Sequence, residues 1–307
     1  MRSLRDIRRK IKAVKSTRQV TKAMELVAGS KMRRAVQNAQ LLRSYALAAW
    51  KILQRIGLQA VEEHPFLKER PLKRVLVVLL TSDRGLCGSL NANLCRAAER
   101  YVTTLHESGI SAVDFVGVGR KGQQFLARMK HPVVAAFPAM SNHPVFRDIL
   151  PLTRFILGQF KEGKYDHVVV IHPDFISPLI QEVDVKVLLP LSRGSLRELT
   201  TTYLHGSRKT ARETGDDLTV SSAGILFEPS PEEVLNSILP QLTEMQIFQA
   251  VLETAASEHS ARMVAMRNAS DNASDILDDL TLTYNQTRQA GITAELAELS
   301  AAAAAMG

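Results

Sequence analysis

The segment Leu4–Val14, with the sequence LRDIRRKIKAV, places Leu4, Ile7, Ile11 and Val14 three, four and three residues apart. This spacing is typical of the apolar seam along which one α-helix pairs with another in a coiled coil. Apolar residues continue the spacing at Ala28, Met32, Ala35, Ala39, Leu42, Ala46, Ala49, Leu53 and Ile56. The segment therefore predicts a long N-terminal helix that needs a helical partner.

The N-terminal helix is predicted to be long for a chain of 307 residues. Residues 1–56 contain no proline and one glycine, and a helix of about 56 residues would be about 84 Å long. Such a helix is expected to protrude or to pair, because it cannot fold inside a globular domain of this size. Arg18, Thr21 and Glu25 occupy seam positions and interrupt the apolar repeat.

The C-terminal segment carries an apolar repeat with a period of seven residues. Glu232 and Glu233 follow Pro231 and suit the first turn of a helix, and Pro240 is expected to kink or restart it. Eleven of fourteen seam positions are apolar, the positions being Ile238, Met245, Leu252, His259, Met266, Ala273, Leu280, Leu242, Gln249, Ala256, Met263, Ser270, Leu277 and Tyr284. The period predicts a left-handed coiled coil, in which we interpret His259 as a core or partly solvated residue rather than a ligand.

The charge distribution indicates that the two terminal helices pair with each other. Residues 1–58 carry a net charge of +13, residues 59–231 carry +3 and residues 232–307 carry −8, within a total of +8. Opposite charges favour an antiparallel coiled coil within one chain. A nucleic-acid-binding arm and a mitochondrial presequence are the alternatives for the basic segment.

The middle of the chain alternates strand-like and helix-like segments. Apolar runs predict strands at residues 74–81, 113–118, 132–137, 166–171 and 183–189, and helices are predicted at residues 89–106, 121–129 and 149–160. This alternation predicts a Rossmann-like α/β domain with a mostly parallel sheet. The predicted fold class is therefore α/β with a long antiparallel coiled coil. The predicted parts are an N-terminal coiled-coil helix (residues 1–58), the α/β domain (72–191), a linker (192–231, a loop at least over residues 192–222) and a C-terminal coiled-coil helix (232–307).

The sequence offers little support for catalysis or for ligand binding by this chain. Gly117, Gly119 and Gly122 match G-x-G-x-x-G, but they follow the second strand, and no acidic residue between Asp114 and Asp148 could bind a ribose. A Rossmann-type oxidoreductase is thus a weak alternative. No catalytic or metal-binding motif occurs, and the longest apolar run, residues 75–80, is far shorter than the roughly 20 residues that span a bilayer.

Four segments together resemble the gamma subunit of the F-type rotary ATP synthase. Residues 20–32 (VTKAMELVAGSKM) resemble its N-terminal signature, and residues 256–266 (ASEHSARMVAM) and 284–296 (YNQTRQAGITAEL) resemble its C-terminal helix. Residues 82–91 (SDRGLCGSLN) resemble its most recognisable loop, with the signature residues Ser82, Asp83, Arg84, Gly85 and Gly88. The segments lie in the order of the family and span the whole chain.

The resemblance implies a coiled coil in the central cavity of a ring of three alpha and three beta subunits. The α/β domain would lie on the c-ring beside the epsilon subunit, and one copy per complex would couple proton flow to the conformational cycle of the beta subunits. The chain would be no enzyme by itself and would bind no cofactor and no nucleic acid, because Mg-ATP and Mg-ADP bind to alpha and beta. It would be a peripheral protein that meets the membrane only through the c-ring.

The resemblance also implies which residues contact partners. Arg288, Gln289 and Thr293 match residues that contact a loop of the beta subunit in this family. Met24, with Lys22 and Arg34 nearby, lies where the shaft of the family faces an acidic part of the beta subunits.

Some features depart from the family pattern, and others bear on the regulation and location expected of this protein. The alanine-rich end, residues 298–307, replaces a more branched sequence. The regulatory cysteine insertion of the chloroplast form is absent, since Cys87 and Cys95 lie in and after the glycine-rich loop, so thiol switching is not expected. Because the first motif begins close to Met1, we expect an uncleaved bacterial protein on the cytoplasmic face of the plasma membrane.

Overall fold

The computed structural model describes residues 4–56, 64–68, 70–142, 144–191 and 230–306. The chain divides into two compact units, one made of Met1–Ala28 with Arg262–Gly307 and the other of Gly29–Ala261. The loop predicted at residues 192–222, and the predicted linker except for its last two residues, lie outside the described residues.

A five-stranded sheet in the order β3-β2-β1-β4-β5 forms the centre of the larger unit. Its strands are β1 (Arg74–Leu80), β2 (Ala112–Val118), β3 (Val133–Phe137), β4 (His167–Phe175) and β5 (Gln181–Leu189). The first four are parallel, and β5 pairs with β4 in the antiparallel direction. The predicted mostly parallel sheet is therefore confirmed.

Helices cover both faces of this sheet. The helices between the strands are α2 (Leu90–Glu107), α3 (Arg120–Met129) and α4 (Phe146–Lys161). In β1, Val77 and Leu79 pack in one core with residues of α2 and α3, whereas Leu76 and Val78 pack in another with α4 and the C-terminal helix. Burial of each such side chain contributes about 1.5–3 kcal/mol, which explains why β1 is apolar from Val75 to Leu80 rather than alternating.

The terminal helices are α1 (Leu4–Ile56) and α5 (Pro231–Met306). Of the kink or restart that the sequence predicts at Pro240, the restart does not occur, because α5 continues through this residue. A proline removes one backbone hydrogen bond, but Leu239 and Leu242 on either side are buried in the core against the sheet. Tertiary burial therefore holds the helix together where local preference would interrupt it.

In the smaller unit, α1 and α5 pair in an antiparallel direction. Arg8 Nη2 donates a hydrogen bond of 2.6 Å to Tyr284 Oη, and its guanidinium carbon lies 5.5 Å from the centre of the Tyr284 ring. Arg267 Nε lies 3.1 Å from Glu25 Oε1. The residue numbers in both pairs add up to 292, so a single register runs through this unit. The predicted antiparallel pairing is confirmed, and the buried Ile7 belongs to its seam.

Candidate partner-binding surfaces

The family-like loop after β1 is held by a hydrogen-bond network. Asn91 Oδ1 accepts the backbone N–H of Ser82 at 3.2 Å, and Asn91 Nδ2 donates to Ser82 Oγ at 2.8 Å. Ser82 Oγ in turn donates to the carbonyl of Arg84 at 2.7 Å. The network leaves the Arg84 side chain exposed, and Leu86 is 61% exposed with a left-handed φ of 63°. This loop thus presents a cation and an apolar side chain to the surface.

Asp83 joins this loop to two other parts of the domain. Its Oδ1 accepts the backbone N–H of Arg120 at 3.0 Å and that of Ala139 at 3.4 Å. A carboxylate at the first turn of α3 also interacts favourably with the helix dipole. Asp83 therefore has a structural role that sequence resemblance alone did not reveal.

The G-x-G-x-x-G motif of residues 117–122 packs against Thr81. A Cβ on Gly119 would lie 2.2 Å from the Thr81 carbonyl oxygen, and one on Gly122 would lie 2.7 Å from Thr81 Oγ1. At the start of α3, the N–H of Gly122 donates to Thr81 Oγ1 and that of Lys121 to the Ser82 carbonyl. The amides that would bind a pyrophosphate are thus bonded to the protein itself, which argues against dinucleotide binding.

The 256–266 segment fixes α5 against the carboxyl end of the sheet. His259 Nε2 lies 3.0 Å from the carbonyl oxygen of Ser141 and is 2% exposed. Ser257 and Ser260 donate to the carbonyls of Pro173 and Pro178 at 3.4 and 2.6 Å. These contacts agree with the interpretation of His259 as a core residue.

A buried ionic cluster that the sequence did not predict lies beside these contacts. His172 on β4 is 3% exposed; its Nε2 lies 3.4 Å from Asp184 Oδ2 on β5, and its Nδ1 lies 3.5 Å from Glu253 Oε2 on α5. Burial alone would lower the pKa of His172, but the hydrogen bond to Asp184 and the two carboxylate charges outweigh it and raise that pKa. Burial raises the pKa of Glu253. The cluster connects the β4–β5 pair to α5.

The shaft residues predicted from the resemblance are accessible to different degrees. Lys22 and Arg34 are exposed and Met24 is half-buried. Around them, Val20, Leu26 and Val27 are 56%, 64% and 56% exposed, although Thr21 and Glu25 between them are buried. Within residues 20–27, three apolar side chains thus face outward and two polar ones face inward, which is the reverse of the usual pattern of a solvent-exposed helix, while Lys22 is exposed as well.

The other predicted contact residues lie near the end of α5. Arg288, Gln289 and Thr293 are all exposed and lie within two turns of the helix. Ile292, Leu296 and Leu299 follow at steps of four and three residues and are 50%, 59% and 67% exposed. Within the described residues, the register of the helix pair leaves most of this end of α5 without an α1 residue opposite it. An apolar stripe therefore adjoins the polar residues.

The described helices include none with the length and hydropathy that crossing a bilayer requires. Likewise, the His, Cys, Asp and Glu side chains of the described residues form no group suited to a metal ion.

Comparisons with known proteins match the chain over nearly its full length. A family model described as ATP synthase matches residues 3–306. The ATP synthase gamma chain of Opitutus terrae is 44% identical over 303 residues, which are 98% of each chain. That of Herpetosiphon aurantiacus is 38% identical over 315 aligned residues, which cover 100% of this chain and 99% of the relative.

Solved structures agree with these matches. The central stalk and c-ring structure of the Tetrahymena thermophila mitochondrial ATP synthase contains a chain that is 26% identical, with a TM-score of 0.58 over 82% of this chain and 99% of that one. A chain of the Euglena gracilis mitochondrial ATP synthase matches with a TM-score of 0.63 over 99% of this chain and 94% of that one. It is 19% identical, so it supports the fold alone. Nothing in these comparisons supports the nucleic-acid alternative, whereas the central rotor shaft that the sequence predicts is confirmed. The chain belongs to the family of ATP synthase gamma chains.

Proposed function

We propose that one copy of this chain turns inside a hexamer of three alpha and three beta subunits, without catalysing ATP hydrolysis itself. In this proposal, residues 1–58 and 232–307 form the shaft, and the α/β domain of residues 72–191 contacts the c-ring and an epsilon subunit. The complex would lie at the cytoplasmic face of a bacterial plasma membrane.

The exposed end of α5 is the observation that carries this proposal. Ile292, Leu296 and Leu299 form one apolar stripe on a helix end, and such a stripe is suited to a groove or sleeve on a partner. The polar Arg288 and Gln289 lie at its base, where they can bond to a loop of a beta subunit. A stripe of this kind would be unfavourable on a helix end that stayed in water.

The outward-facing apolar residues of α1 support a second contact. The exposed Val20, Leu26 and Val27 lie on the same part of α1 as the exposed Lys22 and the half-buried Met24. An acidic partner surface with apolar patches would complement it, because the lysine supplies a positive charge beside the apolar contacts. We therefore propose Lys22 and Met24 as beta-subunit contacts, with the exposed Arg34 further along α1.

Reconstitution with alpha and beta subunits tests both the copy number and the contacts. Native mass spectrometry should detect a hexamer with one copy of this chain. The double substitution Arg288→Ala and Gln289→Ala should lower the assembled fraction while the circular dichroism of the chain stays unchanged, because both side chains are exposed. Three or more copies per complex would refute the central position, and unchanged assembly and ATP-driven rotation of the double variant would refute the assigned contacts.

A further inference from the structure

The seam between α1 and α5 contains a buried polar layer. Thr21, Glu25 and Ser270 are 8%, 5% and 6% exposed, whereas Ala28 and Met266 beside them are buried apolar residues. The first two are seam positions of α1 that the sequence marks as interruptions. A buried carboxylate such as that of Glu25 destabilises a helix pair unless cations or hydrogen-bond donors compensate its charge.

Two cations reach the buried carboxylate from the surface. Arg267 Nε on α5 lies 3.1 Å from Glu25 Oε1, and Lys22 Nζ on α1 lies 2.9 Å from Glu25 Oε2. The side chains of Arg267 and Lys22 are 58% and 57% exposed, whereas that of Glu25 is 6% exposed. Lys22 accompanies Glu25 in any register, but Arg267 reaches it only when the helices are aligned as observed.

A slip of seven residues would leave much of the apolar seam in contact, because its residues recur every seven positions. The same slip would, however, break the contact between Glu25 and Arg267 in the polar layer. In one direction Glu25 would lie opposite Ser274 and Arg267 opposite Met32. In the other direction Glu25 would lie opposite Ser260, and Arg267 would meet the like charge of Arg18. Both slips separate the buried carboxylate of Glu25 from Arg267.

We propose that Glu25, through its contact with Arg267, is the positioning residue that selects the register of α1 against α5. Buried polar groups at seam positions are known to specify register in coiled coils at a cost in stability. In a rotor shaft, the register decides which side chains lie at the same height on the two helices. The assignment concerns the helix pair itself and is independent of the partner contacts proposed above.

A distance between spin labels on the full chain tests this assignment. Labels would be attached at Ala13→Cys on α1 and Ala294→Cys on α5, both exposed positions, after replacement of Cys87 and Cys95 by alanine. Double electron–electron resonance should give one distance for the otherwise unaltered chain. A slip of seven residues moves one helix by about 10 Å along the other, which the method resolves.

Glu25→Leu should keep the helices paired but add a second population displaced by about 10 Å, and Arg267→Met should do the same. Asp6→Leu, which removes an equal charge from an exposed position of α1, should keep the single native distance.

A single native distance in both Glu25→Leu and Arg267→Met would overturn the assignment. The register would then depend on other contacts of α1, such as the hydrogen bond from Lys31 to Asn142. If Glu25→Leu failed to fold, Arg267→Met, a change at an exposed side chain, would decide the question alone.

Discussion

At the scale of single residues, buried charged groups connect elements that lie far apart in the sequence. His172 contacts Asp184 and Glu253, and Glu25 contacts Arg267. The hydrogen bond from Lys22 lowers the pKa of Glu25, assisted by Arg267 and against the effect of burial. Ionised Glu25 therefore stabilises the fold relative to protonated Glu25 at a pH above the unfolded-state pKa, and this contribution is lost as the pH falls through the folded-state pKa.

His172→Gln should destabilise the full chain by about 3 kcal/mol at pH 6, because it removes the cation that lies between the two largely buried carboxylates of Asp184 and Glu253. The folded-state pKa of His172 is raised above its ordinary value of 6.5, so the stabilisation is present below that value and is lost as the pH rises through the folded-state pKa. The difference from the unaltered chain, measured by urea unfolding between pH 6 and 9, should therefore shrink as the pH rises.

The exposed His106→Gln is the matched control and should change the free energy of unfolding by less than about 0.5 kcal/mol at every pH. A destabilisation by His172→Gln that grows with pH would contradict the interpretation of His172 as the positively charged partner of the two carboxylates.

Gly119→Ala and Gly117→Ala distinguish a packing motif from a cofactor motif. A Cβ at Gly119 would overlap the Thr81 carbonyl at a φ of 86°, whereas one at Gly117 would meet the flexible Gln123 side chain at 3.0 Å. Gly119→Ala should cost about 3 kcal/mol or more, and Gly117→Ala about 1 kcal/mol, in thermal unfolding. Quenching of NADH fluorescence by the unaltered chain at micromolar cofactor would contradict the packing interpretation.

At the scale of elements, the sequence predicted the central strands closely. Strand β1 was expected at residues 74–81 and is observed as Arg74–Leu80, because burial on both faces produces an uninterrupted apolar run. It did not reveal the direction of β5, which is antiparallel to β4. Nor did it reveal the His172 cluster, since contacts between residues as distant as 172 and 253 leave no periodic signal. The interruptions Thr21 and Glu25 were visible, but not their burial.

The end of α5 provides a prediction at this scale. Leu296→Ser should leave the thermal unfolding of the isolated chain within about 0.5 kcal/mol, because the side chain is 59% exposed. It should nevertheless weaken assembly with alpha and beta subunits about tenfold or more, since an apolar contact in a partner groove would be lost. Leu282→Ser, also at a 59% exposed position of α5, is the control within the paired part. Equal effects of the two substitutions on assembly would contradict a contact specific to the helix end.

At the scale of the whole molecule, the net charge of +8 hides a basic α1 and an acidic α5. The ion pair of Glu25 with Arg267 reverses this distribution, because the basic helix supplies the acid and the acidic helix the base. Overall charge thus favours the pairing of the helices, whereas individual buried groups determine how they align. The resemblance to the gamma chains identified the function, which composition and periodicity alone had left open.

Rotation of the chain within its complex tests the central claim most directly. The hexamer of alpha and beta subunits would be fixed to a surface, and a bead attached to the α/β domain through Ser108→Cys, an exposed position. With Mg-ATP, the bead should turn in one direction and pause three times per turn, once for each proposed beta subunit. ATP hydrolysis by the same complexes without rotation of the bead would contradict the account.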